Sequence, residues 1–105
     1  MATIIVYLDG EEQSQHTLNK ERMDIGRRPG NDIQLLNPTV SGNHARITTI
    51  RGDSFLEDMN STNGVRVNGK PVQKCLLKDG DDIHLGKFTL RYTEDVTLAH
   101  ISSGG

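Results

Sequence analysis

The twelve residues Asp58-Met-Asn-Ser-Thr-Asn-Gly-Val-Arg-Val-Asn-Gly69 contain two turn signals around a short strand. Asn and Gly tolerate a positive φ angle at low steric cost, so Asn63-Gly64 and Asn68-Gly69 each predict a tight reversal of the backbone. Between them, Val65-Arg66-Val67 alternates apolar and charged side chains, which is typical of a strand with one buried face. We expect Ser61-Thr62-Asn63 to place two hydroxyls and an amide at one rim of a β domain, and Asn68 to serve only the turn.

Length, charge and cysteine content restrict the possible classes of function. At 105 residues the chain is long enough for one domain with a modest core. The single Cys75 and the four histidines show no metal-ligand spacing, so we expect no metal or other cofactor. A lone cysteine also favours a reducing location, cytoplasmic or, in a eukaryote, nuclear. No apolar run approaches the roughly 18 residues of a membrane span. With dispersed basic residues and a net charge of -2, we expect neither a membrane nor a nucleic-acid partner.

Short β-type segments recur along the chain, separated by Gly, Pro, Asn and Asp. They cover residues 3–8, 13–18, 22–25, 33–35, 45–50, 54–58, 65–67, 82–85 and 88–92. Residues 71–77 are poorly patterned, and no window shows a sustained helical period. This pattern predicts an all-β fold, a two-sheet antiparallel β-sandwich of about eleven short strands. We expect residues 1–93 to form the domain, and residues 94–105 to be a tail or linker within a larger protein.

Six motifs follow one another in the order and spacing of a known family. They are Gly26-Arg27, Asn31-Asp32-Ile33, Ser41-x-x-His44-Ala45, Ser61-Thr62-Asn63-Gly64, Val67-Asn68-Gly69 and Leu77-x-x-Gly80-Asp81-x-Ile83-x-Leu85-Gly86. Together they resemble the forkhead-associated (FHA) domain. The resemblance implies an FHA/SMAD-like sandwich that binds phosphothreonine peptides through loops at one end. It also implies a signalling partner, a protein or peptide phosphorylated by a Ser/Thr kinase, and a monomeric domain.

The FHA resemblance assigns four ligand-binding residues. It implies that Arg27 and Ser41 bind the phosphate and that Thr62 adds a contact. It further implies that Asn63 binds the peptide main chain beside the phosphothreonine. These residue types suit the ligand, because a phosphate at pH 7 carries a charge of about -1.5 to -2 and three acceptor oxygens. Arginine offers a planar fork of donors, short hydroxyls donate to the remaining oxygens, and an amide both donates and accepts.

Further positions are implied as supporting or accessory. The resemblance implies that His44 braces the Ser41 loop from behind, and that Gly26 and Gly64 shape the loops.

Two residues depart from common family usage. Gly42 stands where many members carry a basic or amide residue that also touches the phosphate. Thr39 stands where some members place an Arg that selects an acidic residue of the peptide. Arg28 is the only nearby cation that could compensate, so we count Arg28, Gly42 and Asn43 as accessory positions and expect few charges to take part in binding.

Two other functions stay open at this point. Ser41, His44 and Asp58 supply the residue types of a hydrolytic triad, but a Ser and a His three residues apart on one loop rarely reach attack geometry, so we expect no enzyme. The second alternative is a structural docking sandwich with a degenerate phosphate site. Taken alone, Arg27 could be an ordinary solvated charge, and Ser41 and Thr62 could be turn formers. It is their joint occurrence that favours phosphopeptide binding.

Overall fold

The strands form where buried apolar side chains alternate with exposed ones, as Phe88, Leu90 and Tyr92 do along the last strand. The computed structural model describes residues 1–94, so nearly all of the predicted tail lies outside the described residues. Within residues 1–94 the strands are β1 (Thr3–Leu8), β2 (Glu11–Thr17), β3 (Arg22–Gly26), β4 (Ile33–Gln34), β5 (Ala45–Ile50), β6 (Asp53–Asp58), β7 (Arg66–Val67), β8 (Lys70–Pro71), β9 (Lys74–Leu76), β10 (Asp82–Leu85) and β11 (Phe88–Thr93). This part of the chain contains no helix, and therefore none that could cross a membrane.

The strands form two sheets that pack face to face, which confirms the predicted sandwich. One sheet has the strand order β2-β1-β11-β10-β7-β8, and the other has the order β4-β3-β5-β6-β9. Thr3 of β1 pairs with Thr93 of β11, so the first and last described strands are neighbours. Every neighbouring pair is antiparallel except β3 and β4, where Ile25 lies opposite Ile33 in a parallel register.

The core lies between the sheets and extends into the loops at one end. Val40 and Val65 belong to no strand, yet they are only 1% and 2% exposed. Burial of a valine side chain stabilises the fold by about 1.5 kcal/mol or more. These two residues therefore anchor the loops that carry Ser41 and Gly64 to the hydrophobic core.

The first hairpin and residues 71–77 differ from the sequence prediction. The first hairpin closes through only Asp9 and Gly10, whose φ angles of 53° and 80° suit a two-residue turn, so β2 begins two residues earlier than predicted. The poorly patterned residues 71–77 contain β9, an edge strand of the five-stranded sheet on which only Cys75 is partly buried. Edge position explains the missing alternation, since neither face of this strand is fully covered.

Asn68 does more than the predicted turn. Its φ angle is 52°, as the turn requires, but its side chain also donates to Asp81 Oδ1 at 2.9 Å and accepts from Asp82 N at 3.0 Å. The expectation that Asn68 serves only the turn is therefore wrong, because its amide also fixes the start of β10.

Asp32 explains how a six-residue loop can lead into a parallel strand. Its carboxylate accepts a hydrogen bond from Asp24 N at 2.8 Å and pairs with the ammonium group of Lys20. These contacts draw the end of the loop back beside β3, so that β4 starts in the same direction. The Lys20 ammonium, together with the Asp24 N–H, lowers the pKa of Asp32 below its ordinary value of 3.8.

We predict that Asp32→Asn destabilises the protein by about 1 kcal/mol at pH 7 and much less in acid. Because the pKa of Asp32 is lowered by folding, its carboxylate stabilises the fold above the ordinary pKa of 3.8. That contribution is lost as the pH falls through the folded-state pKa. Thermal melts of the wild type and of Asp32→Asn from pH 7 to pH 3 should show a difference in melting temperature that disappears in acid. Asp9→Asn, in an exposed turn, is the matched control. A difference in melting temperature between the wild type and Asp32→Asn that does not change with pH would contradict the stabilising role of the Asp32 carboxylate.

Candidate functional site

Three loops meet at one end of the sandwich and form what we call the three-loop rim, residues 27–32, 35–44 and 59–65. Main-chain bonds join the first two loops, since Arg27 N donates to Ser41 O at 3.0 Å and Arg28 N donates to Gly42 O at 3.2 Å. These bonds hold the first two loops side by side, as main-chain bonds hold neighbouring strands.

Gly26 allows the first two loops to lie this close together. A β carbon at this position would lie 2.3 Å from Gly42 O and 2.8 Å from Asn31 Nδ2, distances that real β carbons do not reach. Asn31 fills the remaining space, because its Nδ2 donates to Gly42 O at 2.7 Å and to Arg28 O at 3.0 Å. Asn31 belongs to one of the six sequence motifs, but the motif alone indicates no role for it. The structure shows that it fastens the first two loops together.

His44 links the second and third loops from beneath. Its side chain is fully buried, and Ser41 N donates to its Nδ1 at 3.0 Å. A backbone N–H can only donate, so Nδ1 is unprotonated and Nε2 carries the hydrogen that is donated to Gly64 O at 2.8 Å. These are the contacts that a bracing role for His44 requires.

The polar side chains at the top of the rim keep part of their hydrogen-bonding capacity. Ser41 Oγ accepts from Thr62 N at 3.0 Å, which leaves its hydroxyl hydrogen free to donate. Within residues 1–94 the exposed Thr62 hydroxyl makes no hydrogen bond. Asn63 donates one amide hydrogen to Thr39 O at 2.9 Å and keeps its other N–H and its Oδ1. The rim thus offers donors suited to an anion and an amide suited to a peptide backbone.

Arg27 and Arg28 give the rim its positive charge. Both are exposed, and neither guanidinium forms an ion pair or a hydrogen bond with the part of the chain that the structure describes. Elsewhere three of the ten other basic side chains, Lys20, Arg46 and Arg91, are paired with aspartates. The rim is therefore a place where a protein of net charge -2 presents two adjacent cations.

Ser61 differs from the expectation that two hydroxyls of its turn line the rim. It is partly buried, and its Oγ accepts a hydrogen bond from Gly64 N at 2.9 Å. Gly64 itself has a positive φ angle of 78°, as a tight turn requires. Asp58 Oδ1 in turn accepts from Ser61 N at 3.0 Å. Ser61 therefore builds the turn, and of the two hydroxyls Thr62 alone is exposed. An S-x-x-G pattern was the signal that could have separated them.

The triad of the hydrolase alternative is not assembled. His44 Nδ1 faces the backbone of Ser41 rather than its hydroxyl, and Nε2 faces Gly64 O. The carboxylate of Asp58 caps Ser61 N instead of reaching the imidazole. Without a hydrogen bond from Ser41 Oγ to the imidazole, no group here activates the serine as a nucleophile. Among residues 1–94, no group of three or more His, Cys, Asp or Glu side chains could hold a metal ion.

Thr39 has a structural position that the sequence analysis missed. Its Oγ1 donates to Asn37 Oδ1 at 2.7 Å and accepts from Lys87 N at 3.0 Å, while its carbonyl accepts from Asn63. Thr39 therefore ties the rim to the β10–β11 turn. Asn43 is exposed and its side chain makes no hydrogen bond with the described residues, so the structure adds nothing to its accessory assignment.

Two shallow cavities flank Asn63. One has a volume of about 210 Å³ and is lined by Arg66, His84 and Lys87 among others. The other has a volume of about 360 Å³ and is lined by Pro71, Val72 and Gln73 among others. Asn63 therefore lines both depressions, as Gly64 and Arg66 also do.

Comparison with known proteins places this geometry in a family. Residues 23–86 match the family model of the FHA domain. The chain is 35% identical over 89 residues to the glycogen accumulation regulator GarA of Mycolicibacterium smegmatis, and the match covers 85% of this chain and 56% of GarA. It is 37% identical over 90 residues to the oxoglutarate dehydrogenase inhibitor of Corynebacterium jeikeium, covering 85% of this chain and 62% of that protein. The chain thus spans little more than half the length of these relatives.

A solved structure supports the same placement. It comes from a structural and functional analysis of phosphothreonine-dependent FHA domain interactions. The two structures superpose with a TM-score of 0.80 at 33% sequence identity, and the match covers 88% of this chain and 96% of that one.

We predict that His44→Ala lowers the free energy of unfolding by about 2–4 kcal/mol. The substitution leaves Ser41 N–H and Gly64 C=O without partners and opens a cavity beneath the rim. Urea denaturation followed by circular dichroism measures the loss. His84→Ala is the matched control, because His84 is only partly buried and its one side-chain contact, to Thr89 Oγ1, is 3.3 Å long. Equal losses for the two variants would show that His44 does not brace the rim.

We predict that Gly26→Ala destabilises the protein by about 1–3 kcal/mol, because the new methyl group would overlap Gly42 O and no side-chain rotation could relieve that contact. The φ angle of Gly26 is not positive, so the cost arises from space alone. Gly30→Ala is the control, since a β carbon there would meet no atom within 4 Å. Thermal melts should separate the two variants by several degrees, and a Gly26→Ala protein as stable as Gly30→Ala would contradict this prediction.

Proposed function

Because the chain belongs to the FHA domain family, whose members bind phosphothreonine peptides, we propose that its three-loop rim binds proteins phosphorylated on threonine. One observation above all supports this assignment. Arg27, whose guanidinium has no partner within residues 1–94, is fixed beside Ser41 by the main-chain bond from Arg27 N to Ser41 O. A residue with a cationic side chain and a residue with a free hydroxyl donor are thereby held next to each other at the surface.

The chemistry of the rim fits a phosphate dianion. The planar guanidinium of Arg27 can bind two phosphate oxygens at once, which a lysine could not do. Ser41 Oγ accepts a hydrogen bond from Thr62 N, and this bond does not use the hydroxyl hydrogen. The hydroxyl can therefore donate that hydrogen to a phosphate oxygen. The exposed Thr62 hydroxyl can donate to another. Asn63 then has an N–H and an Oδ1 left for the carbonyl and amide of the adjoining peptide backbone.

The framework fixes the rim before any ligand arrives. His44 joins the loops of Ser41 and Gly64, and Asn31 joins the loops of Arg28 and Gly42. A rim held in this way loses little conformational entropy when it binds, so more of the interaction energy is expressed as affinity.

The proposal extends to the mode of action. GarA is named a regulator and the C. jeikeium protein an inhibitor. We propose that the domain acts by binding and not by catalysis, since the side chains of Ser41, His44 and Asp58 are engaged in other contacts. The proposal includes a monomeric domain, a partner phosphorylated by a Ser/Thr kinase in the cytoplasm, and no role for nucleic acid.

A randomised peptide pool with one fixed phosphothreonine tests the function directly. We expect the purified domain to retain peptides from this pool and none from the matching pool with unmodified threonine. Binding of the best retained peptide should saturate in a calorimetric titration. Retention of both pools alike would favour the docking sandwich with a degenerate phosphate site, and retention of neither would overturn phosphothreonine binding.

We predict that Arg27→Ala weakens binding of that peptide by about 2–5 kcal/mol, because the main cationic partner of the phosphate is lost. Calorimetric titration of the folded variant measures the change. Arg22→Ala is the matched control, as this exposed arginine lies at the opposite end of β3 and its loss changes the net charge equally. If Arg27→Ala and Arg22→Ala bound with equal affinity, Arg27 would not contact the phosphate.

A further inference from the structure

We propose that Arg28 is a second phosphate-binding cation and that Gly42 positions it by leaving space for its side chain. This inference rests on the proposed phosphothreonine binding. It goes further in two respects. The effect of Gly42 on binding depends on Arg28, and the second positive charge beside the phosphate comes from residue 28 instead of residue 42.

The side chain of Arg28 lies across the bare backbone of Gly42. A β carbon on residue 42 would lie 2.9 Å from Arg28 Nε, 3.3 Å from its Cγ and 3.4 Å from its Cδ. Any side chain at residue 42 would therefore occupy the space that Arg28 now fills. The φ angle of Gly42 is outside the left-handed region, so the backbone does not require glycine here. What the absence of a side chain provides is room for Arg28.

The backbone of Arg28 is held on both sides. Arg28 N donates to Gly42 O at 3.2 Å, and Arg28 O accepts from both Asn31 N at 3.1 Å and Asn31 Nδ2 at 3.0 Å. The side chain thus starts from a fixed point and crosses a fixed surface.

This position puts the guanidinium next to the proposed phosphate site. Gly42 directly follows Ser41, and Arg28 directly follows Arg27, whose N–H is bonded to Ser41 O. Arg28 has no ion pair or hydrogen bond from its guanidinium within residues 1–94, so its charge is available to a ligand. A phosphate with a charge of about -1.5 to -2 is matched by two guanidinium groups better than by one.

A second cation at the phosphate changes the expected salt dependence of the affinity. With Arg27 as the sole cation, the affinity should depend weakly on salt. With Arg28 as a second contact, the dependence should be steeper, and it should become shallower when Arg28 is neutralised.

A double-mutant cycle on residues 28 and 42 tests the coupling. The probe is a phosphothreonine peptide selected on the wild-type domain from the randomised pool, titrated by calorimetry at low and at high salt. The proteins are wild type, Arg28→Ala, Gly42→Ala and the double variant. Arg28→Gln keeps most of the aliphatic stem and removes the charge. Arg22→Ala controls for net charge, and a thermal melt of each protein shows that it is folded.

We expect Arg28→Ala and Arg28→Gln each to weaken binding about tenfold at low salt, the size of one hydrogen bond to a charged group. Gly42→Ala should weaken binding about three- to tenfold when Arg28 is present and less than about twofold when it is absent.

Three results would overturn the inference. One is an Arg28→Ala protein with wild-type affinity at low salt. Another is Arg28→Gln that binds like wild type while Arg28→Ala does not, since this would make the stem and not the charge responsible. The third is a Gly42→Ala effect of equal size in both backgrounds. A wild-type domain that retains no phosphothreonine peptide would overturn the proposed function as well, whereas these three results leave it standing.

Discussion

A single buried imidazole sets the arrangement on which the rest of the rim depends. His44 contacts the Ser41 loop through one ring nitrogen and the turn at Gly64 through the other. A neutral imidazole has one donor and one acceptor on opposite sides of a rigid ring, so it can join an N–H to a carbonyl at a fixed separation. Because the ring is completely buried, these bonds do not compete with water, and the two loops keep one spacing.

The groups of the rim that can bind a ligand are those that form no hydrogen bond within the protein or keep part of their hydrogen-bonding capacity. Three polar groups at this end of the sandwich are used internally: the Ser61 hydroxyl, the Asp58 carboxylate and the Asn31 amide all complete the loops. The guanidinium groups of Arg27 and Arg28 and the donors of Ser41, Thr62 and Asn63 are among the groups that stay available. Their positions are therefore fixed by neighbours that take no part in binding.

Sequence patterns predicted the framework better than the details of the rim. Residues 45–50 alternate strongly and form β5 as predicted, whereas β9 was missed because an edge strand has no fully buried face to impose alternation. The motifs identified the rim but did not separate its two hydroxyls, and the structure shows that Ser61 is used internally. The contact between Arg28 and Gly42 joins residues 14 positions apart, so neither turn chemistry nor periodicity could have revealed it.

The pairing of β1 with β11 has a consequence for architecture. Thr3 and Thr93 are direct partners, and they lie at the end of the sandwich away from the rim, since Lys87, just before β11, is bonded to Thr39. Polypeptide that continued from either strand would enter and leave side by side on the surface opposite the rim. A domain with this arrangement can be inserted into a host protein at a single position, and its connecting segments would not cross the three-loop rim.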